Sequence, residues 1–143
     1  MDQAAIRLLI PHAGRMCLLD RVLNFDSFSI RCSASSHRDP DNPMVYAGQL
    51  GSVCGVEYAA QAMAAHGGLT AGMAGQPRVG YLASVRSLVM ALDRLDNLED
   101  DLLVEAKLLA GAKNQALYSF LVSHAGTHVL SGRMAIVNVD KAR

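Results

Sequence analysis

The sequence predicts an α+β domain in which an antiparallel sheet wraps one long, buried helix. Residues 52–68, SVCGVEYAAQAMAAHGG, are apolar almost all the way round, as a helix enclosed by a core is. After Pro77 the chain turns to long strand-like runs joined by AKN at 112–114 and AGT at 125–127, connections short enough for hairpins. A chain of 143 residues that is 51% hydrophobic has room for one ordinary core, so residues 1–143 are read as a single domain.

In chain order, residues 16–25 (MCLLDRVLNF) are a weak strand. Residues 27–36 are a better one, since Phe28, Ile30, Cys32 and Ala34 alternate with serines and Arg31. Residues 37–51 hold two prolines, two glycines, Asp39, Asp41 and Asn42, which forbid a continuous helix or central strand and predict a structured loop. The core helix is expected to start at Ser52 after Gly51 and to stop at His66, Gly67 and Gly68. Beyond a small-residue connector (69–77) come a strand over 78–92, with Val79, Tyr81, Ala83 and Val85 on one face, and an acidic solvated turn over 93–101. Strands over 102–111, 115–124 and 128–139 complete an antiparallel meander, although 86–110 is rich enough in Leu, Ala, Glu and Lys to suit a helix by propensity alone. One sheet around one helix leaves a sheet edge and part of the helix uncovered, which predicts self-association.

Composition narrows the function classes. Thirteen basic residues balance thirteen acidic ones, so no global field favours nucleic acid or an anionic membrane, and a charged partner must be met by a local patch. The N-terminus, MDQAAIRLLIPH, lacks the pattern of a signal peptide, and no window reaches the length of a membrane span, so a cytoplasmic protein is expected. Cys17, Cys32 and Cys54 are widely spaced, with no CxxC or zinc-type histidine pair, and are read as buried thiols in a reducing compartment. No metal or cofactor site is expected.

The chemical anomaly is Glu57, a carboxylate within the apolar helix. Held from water, it either stays neutral and can donate a proton or is paired with a donor or cation. Gln61, one turn on, is the expected neighbour to orient it. The N–H groups around Ser52 and Val53, at the head of the helix, are expected to polarise a carbonyl oxygen as an oxyanion hole does.

These residues resemble a family. IPHAGRMCLLDRV is similar to the LPHR-x-P-x-LLLDRV opening of the FabZ/FabA-type 3-hydroxyacyl-thioester dehydratases, and GSVCGVEYAAQA to their PG-x-x-x-[DE]-x-x-x-Q active-site helix. VGYLASVRSLVMAL and DDLLVEAKLL follow in the family's strand order. The helix GVEYAAQAMAAHGG especially resembles that of the hotdog-fold dehydratase-like proteins found with aryl-polyene biosynthesis genes. The resemblance implies a hotdog fold, working as a homodimer or a heterodimer with another hotdog subunit, that removes water from a 3-hydroxyacyl chain carried on acyl carrier protein or coenzyme A. Position by position, Glu57 matches the helix acid, Gln61 the glutamine one turn on and Gly55 a small helix residue. The backbone N–H of Ser52 takes the place of the glycine donor that polarises the thioester carbonyl. The sequence departs from the family where the catalytic histidine stands fourteen residues before the acid, a position held here by Pro43. The histidine of this loop is His37, in SSHRDPDNPM, and it is the candidate base, reaching Glu57 within the chain or across a dimer interface.

The other histidines have structural readings: His12 a hydrogen bond, His66 a cap on the helix C-terminus, His124 and His128 the flanks of a hairpin turn. Cys54, three residues before Glu57, is read as inert packing, and Arg78 and Arg86 as candidates for a basic rim facing an acidic carrier protein. The alternatives to a dehydratase are a non-catalytic partner subunit that has lost the base and a hotdog thioesterase whose helix carboxylate attacks the thioester or activates water.

Overall fold

A computed structural model of the chain describes residues 1–10, 16–71, 78–112 and 114–140. A short helix α1 (Gln3–Arg7) is followed by β1 (Arg21–Phe25), β2 (Ser29–Ala34), the long helix α2 (Gly55–Ala71) and four long strands, β3 (Arg78–Met90), β4 (Leu102–Gly111), β5 (Gln115–His124) and β6 (Thr127–Asp140). The strands form one antiparallel sheet in the order β1-β2-β4-β5-β6-β3. Alternate side chains of the sheet, Ile30, Cys32, Val104, Ala106, Phe120 and Val122 among them, point inward to the buried Tyr58, Ala59, Ala62, Met63 and Ala65 of α2. The alanines let the sheet close on the helix.

The expected meander is present. The β5–β6 connection is a two-residue turn with Ala125 at φ 49° and Gly126 at φ 79°, the double positive-φ geometry whose twist suits a hairpin. The stretch 86–110, ambiguous by helix propensity, lies largely in β3 and β4, where cross-strand pairing and burial of Leu102, Val104 and Ala106 override intrinsic preference.

Four expectations need correction. Helix α2 does not stop at HGG but continues to Ala71. Gly68 there provides a close approach, since a Cβ on it would meet Leu9 Cβ at 3.3 Å, and Thr70 Oγ1 donates back to the His66 carbonyl at 2.8 Å. The 16–25 stretch is strand only from Arg21, its earlier part being held by side-chain bonds from α2. The acidic 93–101 segment is anchored: Leu95 is fully buried and its N–H donates to Leu50 O at 2.8 Å, while Asp96 accepts from Leu50 N–H at 2.9 Å and pairs with Arg94. Finally, α2 is not enclosed on every side. Val53, just before it, is exposed, and Val56, Glu57, Ala60, Ala64 and Gly67 form a half-buried stripe at the i, i+3, i+4 spacing of one helix face.

Helix α1, unanticipated, is capped by Asp2, whose side chain accepts from Ala5 N–H at 3.1 Å. Met1 and Val22 exchange backbone bonds, covering the outer edge of β1. The opposite edge, β3, ends in exposed Leu88, Val89 and Met90 beside a bulge where Ser87 takes φ 54°. Among the described residues no further strand pairs with it.

Candidate functional site

At the head of α2, Gly51 is extended and Ser52–Cys54 form a 3-10 turn leading into the helix. The N–H of Ser52 is already engaged: it donates to Asp93 O at 2.9 Å, and the residue is buried. This corrects the oxyanion assignment of Ser52. The isolated bridge between Gly51 and Arg94 sets that bond, because it runs the 93–95 backbone alongside the helix entry. The next residue, Val53, is 57% exposed, and its N–H has no hydrogen-bond partner among the described residues, as expected for a first-turn donor.

Below this turn lies a pocket of about 400 Å³ lined by Met44, Val53, Cys54, Val56, Glu57, Val85 and Leu88. Its walls are side chains of the 37–51 loop, the open stripe of α2 and the edge strand β3, and Glu57 is its one ionisable carboxylate. Glu57 is half-buried rather than enclosed, because the face of α2 that carries it is the uncovered one. Cys54 also lines the pocket and is partly accessible, not wholly buried as expected. Burial nevertheless raises its thiol above the usual range, which disfavours the nucleophilic thiolate. Cys17 and Cys32 are buried free thiols, and burial pushes Cys32 up to about 12.

Gln61 does not orient Glu57. It is fully buried, its Oε1 accepting from Leu18 N–H at 2.8 Å and its Nε2 donating to Met16 O at 2.5 Å, so both ends of the amide pin the 16–18 segment to the helix. Gly55 likewise faces the sheet, where a Cβ would collide with Leu130 Cδ2, and it is not among the pocket-lining residues. Tyr58, unsuspected in the sequence, is the hub of the same face. Ser36 Oγ donates to Leu18 O at 2.7 Å, Tyr58 O–H donates to Ser36 Oγ at 2.7 Å, and Asn42 Nδ2 donates to Tyr58 at 3.2 Å. Burial pushes the Tyr58 phenol up to about 12. The chain of donors ties α2 to the 16–18 segment and to the loop that overhangs the pocket.

The structure does not bring His37 to Glu57 within the chain. His37 is fully buried in the 3-10 turn Ser36–Arg38, its Nε2–H donating to Leu98 O at 3.0 Å, and it does not line the pocket. Together with Arg38, which bonds Glu99 O at 2.7 Å and pairs with Asp101 at 2.8 Å, it clasps the 98–101 loop. Its Nδ1 is buried with no hydrogen-bond partner among the described residues, and burial lowers its pKa below the usual imidazole value. His66 is not a helix cap. It is buried mid-helix, with Nε2–H donating to Asp26 O at 2.8 Å and Nδ1 bonded to the Tyr118 hydroxyl at 2.8 Å, which fastens α2 to the β1–β2 turn. His124 accepts from Asp100 N–H at 3.0 Å and His128 bonds Ser131 at 2.9 Å. His12 and the side chain of Arg78 lie outside the described part of the structure. Among the described residues no group of three His, Cys, Asp or Glu is placed to hold a metal ion. Among the described residues no helix is long and apolar enough to cross a membrane.

A six-stranded antiparallel sheet curled about one long helix, with an acid in a pocket at the helix head, is a hotdog domain of the dehydratase type. The chain belongs to the ApeP-like family of ApeP dehydratases, whose model matches residues 4–143. Among solved structures it is similar to the dehydratase heterocomplex ApeI:P from Xenorhabdus doucetiae, at TM-score 0.84 and 21% identity over 95% of this chain and 91% of that one. It also resembles a mutant thioesterase from Pseudomonas aeruginosa, at TM-score 0.62 and 16% identity over 85% of this chain and 81% of that one. A hypothetical thioesterase with coenzyme A from Streptococcus pneumoniae aligns at TM-score 0.59 and 11% identity over 86% and 88% of the two chains. At these identities the likeness is one of fold. No curated protein matches the chain by sequence.

Proposed function

We propose that the chain is a 3-hydroxyacyl-thioester dehydratase subunit that eliminates water to give a 2-enoyl thioester, in fatty-acid-like or aryl-polyene biosynthesis. The observation that carries this reading is Glu57 at the foot of an apolar pocket in a chain of a dehydratase family. The acyl group, carried on acyl carrier protein or coenzyme A, lies along Met44, Val56, Val85 and Leu88. The Val53 N–H, the second of the two donors expected at the helix head and without a hydrogen-bond partner among the described residues, polarises the thioester carbonyl. A base takes the α proton, the electron pair of that C–H bond forms the C=C bond, and the β C–O bond breaks as Glu57 protonates the departing hydroxyl to water.

The base is supplied across an interface. Helix stripe, pocket and unpaired β3 edge lie together, and the exposed Leu88, Val89 and Met90 suit a second hotdog subunit, whose arrival brings a histidine to Glu57 and closes the pocket to water. The buried, clasped His37 and Pro43 at the usual histidine position favour a heterodimer over a homodimer that is active alone. The known structure of a dehydratase heterocomplex with this fold supports the same assembly.

The test is turnover of a 3-hydroxyacyl carrier thioester by this chain mixed with a hotdog dehydratase encoded beside it, with free thiol measured in parallel. Water loss that falls with Glu57→Gln supports the proposal. Unchanged water loss, or release of free thiol in place of the enoyl product, refutes it; the latter would make the chain a thioesterase.

A further inference from the structure

The outer face of the sheet, opposite α2, carries a row of cations that the proposed chemistry does not use. Register places Lys107 of β4, Ser119 of β5, Arg133 of β6 and Arg86 of β3 directly side by side across four strands. All three cations are exposed; Ala106 beside Lys107, Phe120 beside Ser119 and Met134 beside Arg133 are buried, and Arg86 shares the face of Arg133 because the two are directly opposed, so the row faces outward. Arg86 and Arg133 are paired opposite each other, an arrangement of like charges that costs stability in a sheet. None of the ion pairs among the described residues uses Lys107, Arg133 or Arg86. One row over, the same face settles its charge differently, with Arg31 and Glu105 opposed and bonded at 3.0 Å. A shallow groove of about 310 Å³, its polar lining Ser29, Arg31, Glu105, Lys107 and Ser119, borders the row.

In a chain of zero net charge, an uncompensated cation row with an internal repulsion is a surface that an anionic partner would stabilise. Its spacing says which. With strands about 4.8 Å apart, Arg133 stands roughly 10 Å and Arg86 roughly 14 Å from Lys107 along the row. Carboxylates at i, i+7 and i+11 of an α-helix share one face and are spaced about 10 and 16 Å from the first, a mismatch that long arginine side chains absorb. We infer that this face docks an acidic helix of a partner protein, laid across β4, β5, β6 and β3, with carboxylates on Lys107, Arg133 and Arg86. The inference stands on charge and spacing and does not depend on the dehydratase reading.

Fluorescence anisotropy with two lactam-locked helical peptides tests it. One carries Glu at i, i+7 and i+11; the other has the same composition with its glutamates spread around the helix. The aligned peptide should bind at least about fivefold more tightly, weaken as salt is raised, lose binding to the Lys107→Glu/Arg133→Glu/Arg86→Glu protein, and bind less tightly to Arg133→Glu alone but not to Arg7→Glu, which makes the same change of charge as that single variant elsewhere. Thermal unfolding of each variant checks the fold, and Arg133→Gln alone gives the milder reading if the triple variant does not fold. Equal binding of the two peptides, no binding of either, or insensitivity to the row substitutions would overturn the inference. So would capture by phosphatidylglycerol vesicles in preference to the aligned peptide. Dehydratase activity is not the readout, so failure here and failure of the dehydratase proposal are distinguishable.

Discussion

The two faces of helix α2 differ in what their polar groups are for. On one face Tyr58, Gln61 and His66 are buried and bonded to other parts of the chain, so their chemistry is spent on architecture. On the other, Glu57 stands half-buried among apolar pocket walls, next to an exposed Val53 and an unpaired strand edge. The difference teaches that position within an apolar helix does not by itself mark a catalytic group. Gln61, which sequence placed beside Glu57, belongs to the scaffold.

The largest expected break in this comparison is functional. Glu57→Gln should lower turnover of the assembled enzyme by about 100-fold or more, yet shift unfolding free energy by no more than about 0.5 kcal/mol, measured by denaturant titration. Gln61→Ala should do the reverse in kind: it leaves the buried Leu18 N–H and the half-buried Met16 C=O without their partner and should cost about 2–4 kcal/mol of stability. Gly55→Ala should cost about 1–3 kcal/mol, because Leu130 must move to admit the methyl group. Tyr58→Phe should cost about 1 kcal/mol, since Ser36 keeps its bond to Leu18 O and Asn42 its bond to Ser36 O.

The smallest effect concerns pH. Burial lowers the folded-state pKa of His37, so the unfolded chain takes up this proton first as pH falls. The stability due to neutral His37 is therefore intact above its unfolded pKa of about 6.5 and is lost as pH drops from there toward the folded value. His37→Gln should flatten that part of the stability profile, read from unfolding midpoints across pH. An unchanged slope would show that the ring is not held neutral.

Much of the sheet was legible in the sequence because alternation and three-residue connections are local signals. Residues 102–111 and 115–124 form the strands expected of them, and the Glu57 helix lies where its apolar run stands. The rest depends on contacts distant along the chain. The HGG at 66–68 reads as a helix stop, but its last glycine is there for the approach of Leu9. His66 reads as a terminal cap, yet its partners are 40 and 52 residues away. The N–H of Ser52 reads as a free donor until the 93–95 backbone is brought alongside. Tyr58 gave no polar signal within an apolar run; only Asn42 and Ser36, on the loop before the helix, reveal its role. Helix α1 did carry one legible cue, Asp2 as an N-cap before an apolar run.

The central claim is that the open face of α2 is half of an active site completed by a second subunit. The most direct measurement is the rate of water loss from a 3-hydroxyacyl carrier thioester by the chain alone, by its hotdog partner alone and by the two together, each with wild-type chain and Glu57→Gln. The account predicts that mixing raises the rate well above the sum of the separate rates, and that Glu57→Gln removes the gain while the complex still forms. A gain that survives Glu57→Gln would contradict it and leave this chain a structural partner of someone else's site.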